Sequence, residues 1–347
     1  MYNGKSVGVV IPAHNEEAFV GRVIETLPKY VDRVYAVDDC STDGTWAEIE
    51  RHAERANRTR GESTTLADGG AAFGGVVEPI RHETNHGRGG AVKTGYRRAL
   101  DDGIDVVAVM DADGQMNPDM LARIVEPVAE GWADYAKGTR LLHRDRKQMS
   151  NWRFFGNSLL TYLTKISSGY WKMSDPQNGF TAIAGDALAR IDVDRLYDDY
   201  GFLNDMLTTL NVHQCRVVDV SHPAVYGDEQ SGIRYSTFVP RLSVLLARNF
   251  VRRLTMRYVV HDFHPLVLLY FVGISSTVAG VLGALFTLVT LLGSGFGFVR
   301  GALSLLLVVV GVIALAVGMA YDLQTNERLR VGQYDGLEPE SVGREGR

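Results

Sequence analysis

The chain has 347 residues, 46% of them hydrophobic, and a formal net charge of -5 at pH 7. That length and apolar content suit one large domain or two ordinary ones, and the mild acidity excludes the basic footprint of a nucleic-acid binder. The two cysteines, Cys40 and Cys215, stand far apart without Cys/His ligand spacing, which argues against a disulfide framework or zinc site and fits a reduced, cytoplasmic setting.

Met1–Glu17 reads as strand and loop rather than as a signal peptide. Ser6–Ile11 is a β-branched apolar run ending in Pro12-Ala13-His14-Asn15-Glu16-Glu17, and a helix follows through Leu27. Val34–Val37 is a second strand, ending in Asp38-Asp39-Cys40-Ser41-Thr42-Asp43-Gly44-Thr45; Thr42 or Asp43 caps a helix running through Arg55. Strand, carboxylate-bearing loop and helix, repeated, predict a βαβ sheet. Residues 57–75 are rich in Gly, Ser, Thr and Arg and read as a surface insertion. Val76–Ile80 is a third strand. It leads to Asn85–Gly90, ahead of a helix over Ala91–Asp101. Glycines there either let backbone approach a phosphate or simply form a tight turn.

Val106–Met110 is a fourth strand that stops at Asp111-Ala112-Asp113-Gly114-Gln115. Two carboxylates one residue apart at a strand's end sit where open α/β sheets bind ligands, and their mutual repulsion invites a divalent cation holding phosphate oxygens. A solvated turn is the alternative for this motif taken alone. A helix is predicted over Pro118–Ala129 and a strand over Tyr135–Gly138, followed by Arg140 and a basic run, Leu141–Gln148. Trp152–Ser167 is an amphipathic helix with Arg153 and Asn157 one turn apart on one face. A strand over Thr181–Ala184, a helix over Tyr200–Asn211 and a strand over Arg216–Val220 complete a first domain.

Phe238–Val260 spaces Arg241, Arg248, Arg252, Arg253 and Arg257 among apolar residues, the composition of a helix lying on an anionic membrane surface. Pro265–Val299 carries no charge, Arg300 interrupts, and Gly301–Tyr321 is again uncharged. Each block exceeds the ~20 residues that cross a bilayer. The basic flanks, including Arg328 and Arg330, place both ends inside. The expected organisation is a catalytic domain over 1–235, a juxtamembrane interfacial region over 236–262, two transmembrane helices over 263–322 and a disordered cytoplasmic tail over 323–347.

Four motifs in order, Val9–Glu17, Val37–Thr45, Asn85–Gly95 and Asp111–Gln115, resemble the family 2 glycosyltransferases, and within them the polyprenyl-phosphate (dolichol-phosphate) hexose synthases. The resemblance covers about residues 5–235. It implies an α/β fold of GT-A type: a Rossmann-like mixed sheet with helices on both faces, here joined to an interfacial helix and a C-terminal two-helix transmembrane hairpin. It also implies an enzyme moving a hexose from a UDP- or GDP-sugar to a polyprenyl or dolichyl phosphate, with Mg2+ or Mn2+ as cofactor. On that resemblance Pro12, Ala13, Asn15, Glu17, Asp39, Arg88, Lys93 and Ala112 line the donor site. Asp111, Asp113 and Gln115 hold the metal, Arg140, Arg153 and Asn157 hold the acceptor phosphate, and Asp205 is the candidate base. The usual acidic pair near Asp205 is broken by Asn204, which disfavours a hydroxyl acceptor. Alternatives are a transferase extending a lipid-linked oligosaccharide or polysaccharide, and an inactive membrane-tethered nucleotide-sugar binder.

Overall fold

The computed structural model describes residues 1–61, 75–139, 151–221, 235–290 and 297–334. In chain order these form β1 (Val7–Ala13), α1 (Val20–Thr26), β2 (Arg33–Asp38), α2 (Thr45–Gly61), β3 (Val77–Arg81), α3 (Gly87–Asp101), β4 (Val106–Val109), α4 (Leu121–Ala129), β5 (Tyr135–Thr139), α5 (Asn151–Ser168), β6 (Thr181–Ala184), α6 (Gly185–Arg190), α7 (Phe202–Val212), β7 (Val217–Ser221), α8 (Tyr235–Thr255), α9 (Leu266–Thr290), α10 (Gly297–Asn326) and β8 (Arg330–Tyr334).

The strands make one sheet in the order β3-β2-β1-β4-β6-β5-β7-β8. Among the described residues only β6 runs antiparallel to its neighbours. Every residue of β1 is buried, as expected for a parallel strand covered on both faces. Its side chains alternate between two cores: Val7, Val9 and Ile11 pack with α1, α2 and α4, and Val10 packs with α3, α6 and α7. The β1–β4 ladder ends early, with Met110 N donating to Val10 O. Pro12, which has no N–H to give, therefore sits beyond that ladder, paired only in register with Val37 of β2. The two strands part there, at the point where the strand order reverses, and this opens a crevice at the sheet's carboxyl edge.

The helix after β2 runs farther than expected, to Gly61, and the rest of the predicted insertion, residues 62–74, lies outside the described residues. Asn57 bounds it: its Oδ1 accepts from Val76 N and Val77 N, and its Nδ2 donates to Val77 O.

Helices α9 and α10 form a hairpin. At ~1.5 Å per residue either outspans a hydrocarbon core of ~30 Å, and both are long and apolar enough to cross a membrane. They are not core helices of the domain, because most of their Leu, Val and Phe side chains are exposed. Their seam is made of small residues: a Cβ on Gly280 would stand 2.7 Å from Ser304 O, and one on Gly311 2.6 Å from Thr277 N.

Two expectations are corrected. Three of the five arginines assigned to the lipid surface dock on the protein instead. Arg252 pairs with Asp205 at 2.7 Å, fully buried Arg253 grips Asp322 through both Nη atoms at 2.8 Å, and Arg257 donates to Asn211 O. Asp322 also accepts from Tyr258 Oη, Trp171 Nε1 and Asn326 Nδ2, so one buried carboxylate joins α8, α10 and the loop after α5. Burial, then the nearby Asp322 charge, pushes the Tyr258 phenol up to about 12, so it remains a donor. The second correction concerns the tail. Residues 330–334 are not disordered: they form β8, which adds in parallel to β7 and buries Tyr334 against Trp132. Sequence reading missed this strand because its stability comes from a sheet edge more than a hundred residues away.

Candidate active site

The carboxyl ends of β1, β2, β3 and β4 converge on an open cleft of about 620 Å³, lined among others by Pro12, Asp39, Arg88, Asp111, Asp113 and Gln177. Asp111 and Asp113 are partly exposed, while Ala112 between them is 1% exposed and packs into the core. That inward alanine turns both carboxylates outward. Arg88, in the first turn of α3, donates to Asp111 Oδ1 from Nε at 2.8 Å and lies 2.7 Å from it through Nη2. Burial alone would lower the Arg88 pKa, but Asp111 overrides it and holds the guanidinium above its ordinary value. Arg88 also reaches Gly179 O at 3.3 Å. A Cβ on Gly179 would overlap Arg88 Nη2, so glycine is required for this approach.

At the other end of the cleft, Asp39 is 2% exposed, and its Oδ1 accepts from His82 Nδ1 at 2.7 Å and from His86 N at 2.9 Å. His82 Nε2 in turn meets Thr94 Oγ1 at 2.9 Å. His14 Nδ1 meets Asp39 O, which ties the loop after β1 to the loop after β2. Sequence reasoning missed the two histidines under Asp39, because nothing local marks them, and it also missed Gln177 and Asp199 on the cleft wall.

Pro12, Ala13, Asp39, Arg88, Ala112 and the two aspartates of the metal motif therefore meet in one cleft. Others go elsewhere. Asn15, in the left-handed region at φ 58°, accepts from Thr42 N through Oδ1, and Glu17 Oε2 accepts from Gly44 N at 3.0 Å. Both stitch the first two loops together and lie outside the cleft lining. Lys93 is 5% exposed and donates to Asp194 O, Leu196 O and Asp198 Oδ1. Five residues after Arg88 it stands about 140° around the helix, so it props the 194–198 segment rather than reaching the donor side. Asp205 is no free base: Oδ1 takes Arg252 and Oδ2 accepts from Tyr197 N. Arg140 lies outside the described residues, as do the side chains of Arg153 and Asn157 on α5.

The donor set suits a hard divalent cation. Asp111 and Asp113 give carboxylate oxygens to the cleft, and Gln115 N caps the turn by donating to Asp113 Oδ1 at 2.9 Å. Among the described residues no cluster of three His, Cys, Asp or Glu side chains forms a closed protein cage. Two carboxylates completed by phosphate oxygens and water is the way magnesium is commonly held.

Residues 8–183 match the model of glycosyl transferase family 2. The UDP-N-acetylglucosamine–dolichyl-phosphate N-acetylglucosaminyltransferase of Methanococcus voltae is 31% identical over 186 residues, covering 53% of this chain and 71% of that protein. The undecaprenyl-phosphate mannosyltransferase of Micrococcus luteus is 30% identical over 233 residues, covering 64% and 84%. Among solved structures, glucosyl-3-phosphoglycerate synthase from Mycobacterium tuberculosis, in complex with Mn2+, UDP and phosphoglyceric acid, superposes with a TM-score of 0.50 at 17% identity over 75% of this chain and 81% of that one. That likeness speaks for the fold alone. The cleft at the switch point, the paired aspartates and the matched span together establish that the chain belongs to glycosyl transferase family 2.

Proposed function

We propose that the chain transfers a hexose from a nucleoside-diphosphate sugar to a polyprenyl (dolichyl) phosphate at the cytoplasmic face of a membrane, with inversion at the anomeric carbon. The observation that carries this reading is a cleft holding Asp111, Asp113 and Arg88 in a domain whose C-terminal helices form an apolar hairpin docked onto it. The two relatives named above act, by their names, on dolichyl and undecaprenyl phosphate.

Each part of the cleft has a task. Asp39, held by His82 and His86, faces the nucleobase end. Asp111 and Asp113 would hold Mg2+ or Mn2+, which when bound neutralises charge on the departing diphosphate. Arg88 supplies a fixed cation at the same oxygens. An oxygen of the acceptor phosphate attacks the anomeric carbon, the bond from that carbon to the diphosphate oxygen breaks, and the nucleoside diphosphate leaves. The acceptor is already an anion near neutral pH, so it needs positioning rather than deprotonation. The engagement of Asp205 by Arg252 and Tyr197 N supports that choice over a sugar hydroxyl. Arg140, Arg153 and Asn157 are assigned to the acceptor phosphate. Arg241 and Arg248, exposed on α8 beside Val244 and Val251, are assigned to anionic lipid. Because α8 before the hairpin and β8 after it both attach to the catalytic domain, the chain is read as crossing twice with both flanks on the cytoplasmic side.

The test is to incubate membranes carrying the chain with labelled UDP-glucose, UDP-GlcNAc or GDP-mannose and to extract the lipid. An acid-labile, single-sugar polyprenyl phosphate is expected, and Asp113→Ala is expected to abolish it. Label found only in a preformed glycan would overturn the acceptor assignment, and turnover unchanged in Asp113→Ala would overturn the metal-dependent mechanism.

A further inference from the structure

Asn204 interrupts the expected acidic pair, yet it is fully buried and every polar atom of its side chain has a partner. The direction of those bonds can be followed from one end. Thr164 Oγ1 donates its single hydrogen to Leu160 O at 2.8 Å, so towards any other group it can only accept. Asn204 must therefore present its amide nitrogen to it, and Asn204 Nδ2 lies 2.7 Å from Thr164 Oγ1. This turns Asn204 Oδ1 the other way, where it accepts from Gln177 Nε2 at 2.9 Å. The amide of Gln177 is thereby fixed as well. Its nitrogen is drawn towards α7, and its Oε1 has no donor among the described residues. Gln177 lines the cleft two residues before Gly179, the glycine that lets Arg88 reach Asp111. It thus stands at the diphosphate–sugar end, away from Asp39.

We propose that Gln177 is a specificity-determining residue that reads one hydroxyl of the transferred sugar through its Oε1, and that Asn204 and Thr164 are positioning residues that fix which end of the amide faces the donor. The proposal rests on the sugar-transfer reading above. A site whose acceptor is locked in one orientation favours a donor hydroxyl at one ring position and discriminates against an analogue that lacks it. Asparagine suits position 204 because its amide donates to Thr164 from one end and accepts from Gln177 at the other. A carboxylate there would offer no donor to Thr164.

Deoxy analogues of the active nucleotide sugar, each lacking one sugar hydroxyl, are the probes. For one analogue, wild-type kcat/KM should fall roughly five- to tenfold, the range of one neutral hydrogen bond. Gln177→Ala should lose the same factor with the intact donor and nothing further with that analogue. Its affinity for the free nucleoside diphosphate should stay within about twofold of wild type. Asn204→Leu should blunt the same one-position discrimination. Losses by Gln177→Ala that add to the loss for every deoxy analogue, or that appear equally in nucleoside diphosphate binding, would overturn the assignment while leaving the transferase reading intact. A wild-type chain that transfers sugar from none of the donors would instead sink that reading, and the assignment with it.

Discussion

Gly179 carries the sharpest consequence of a single atom. Its missing Cβ leaves room for the Arg88 guanidinium, and the same Cβ would stand 2.9 Å from Asp111 Oδ2. Gly179 is not in a left-handed conformation, so alanine is tolerated by the backbone, and the far end of a flexible arginine is what moves. Gly179→Ala should therefore still fold, yet bind nucleoside diphosphate ~10-fold or more weakly because a charge-assisted pair is displaced. Titration calorimetry decides this; unchanged affinity would mean that Arg88 does not act at the diphosphate. The same scale shows where sequence reading stops. Asp39, Asp111 and Asp113 were legible because each follows an apolar strand directly, and a strand's end fixes where the next side chains go. Lys93 and Asp205 were misplaced because their roles depend on helix phase and on partners far along the chain, Asp198 and Arg252.

At the scale of elements, the Asp322 junction holds the hairpin to the domain. Its carboxylate and Arg253 are both fully buried, and Arg253 also donates to Ser167 O and Ile166 O at the end of α5. Asp322→Ala strands that arginine without a counter-charge, which costs about 3–5 kcal/mol, whereas replacing both members with apolar residues is commonly close to neutral. Thermal unfolding in detergent should accordingly show Asp322→Ala far less stable than the pair Asp322→Leu/Arg253→Met. Equal losses for the two would indicate that the remaining donors, not the charge, hold the junction. Strands β1 to β7 were readable in advance from short apolar runs bounded by turn residues, and the hairpin from its lack of charge. The inward face of α8 was not, because alternating arginines and apolar residues look the same whether they face lipid headgroups or buried carboxylates and carbonyls.

At the scale of the whole molecule, the hairpin is built into the catalytic domain. It contributes Asp322 and Asn326 to the buried junction, and the chain beyond it contributes β8 to the sheet. A chain ending at Asp262 would leave Arg253 unpaired, Asn211 Nδ2 without Asn326, and the outer edge of β7 open. Such a chain should not behave as a soluble catalytic domain. Expressed alone, it is expected to aggregate or to lose nucleoside diphosphate binding. A monodisperse product with full-length affinity would show that the junction is dispensable.

The placement of β8 also sets an order of events during synthesis. Residues 330–334 leave the ribosome only after both apolar helices have been made, so the catalytic sheet cannot close on β7 until the hairpin has been laid down. Until then β7 presents an unpaired strand edge, the kind of surface that recruits other chains. Synthesis of the two apolar helices therefore precedes completion of the sheet, and a chain interrupted before residue 330 is left with the edge of β7 uncovered.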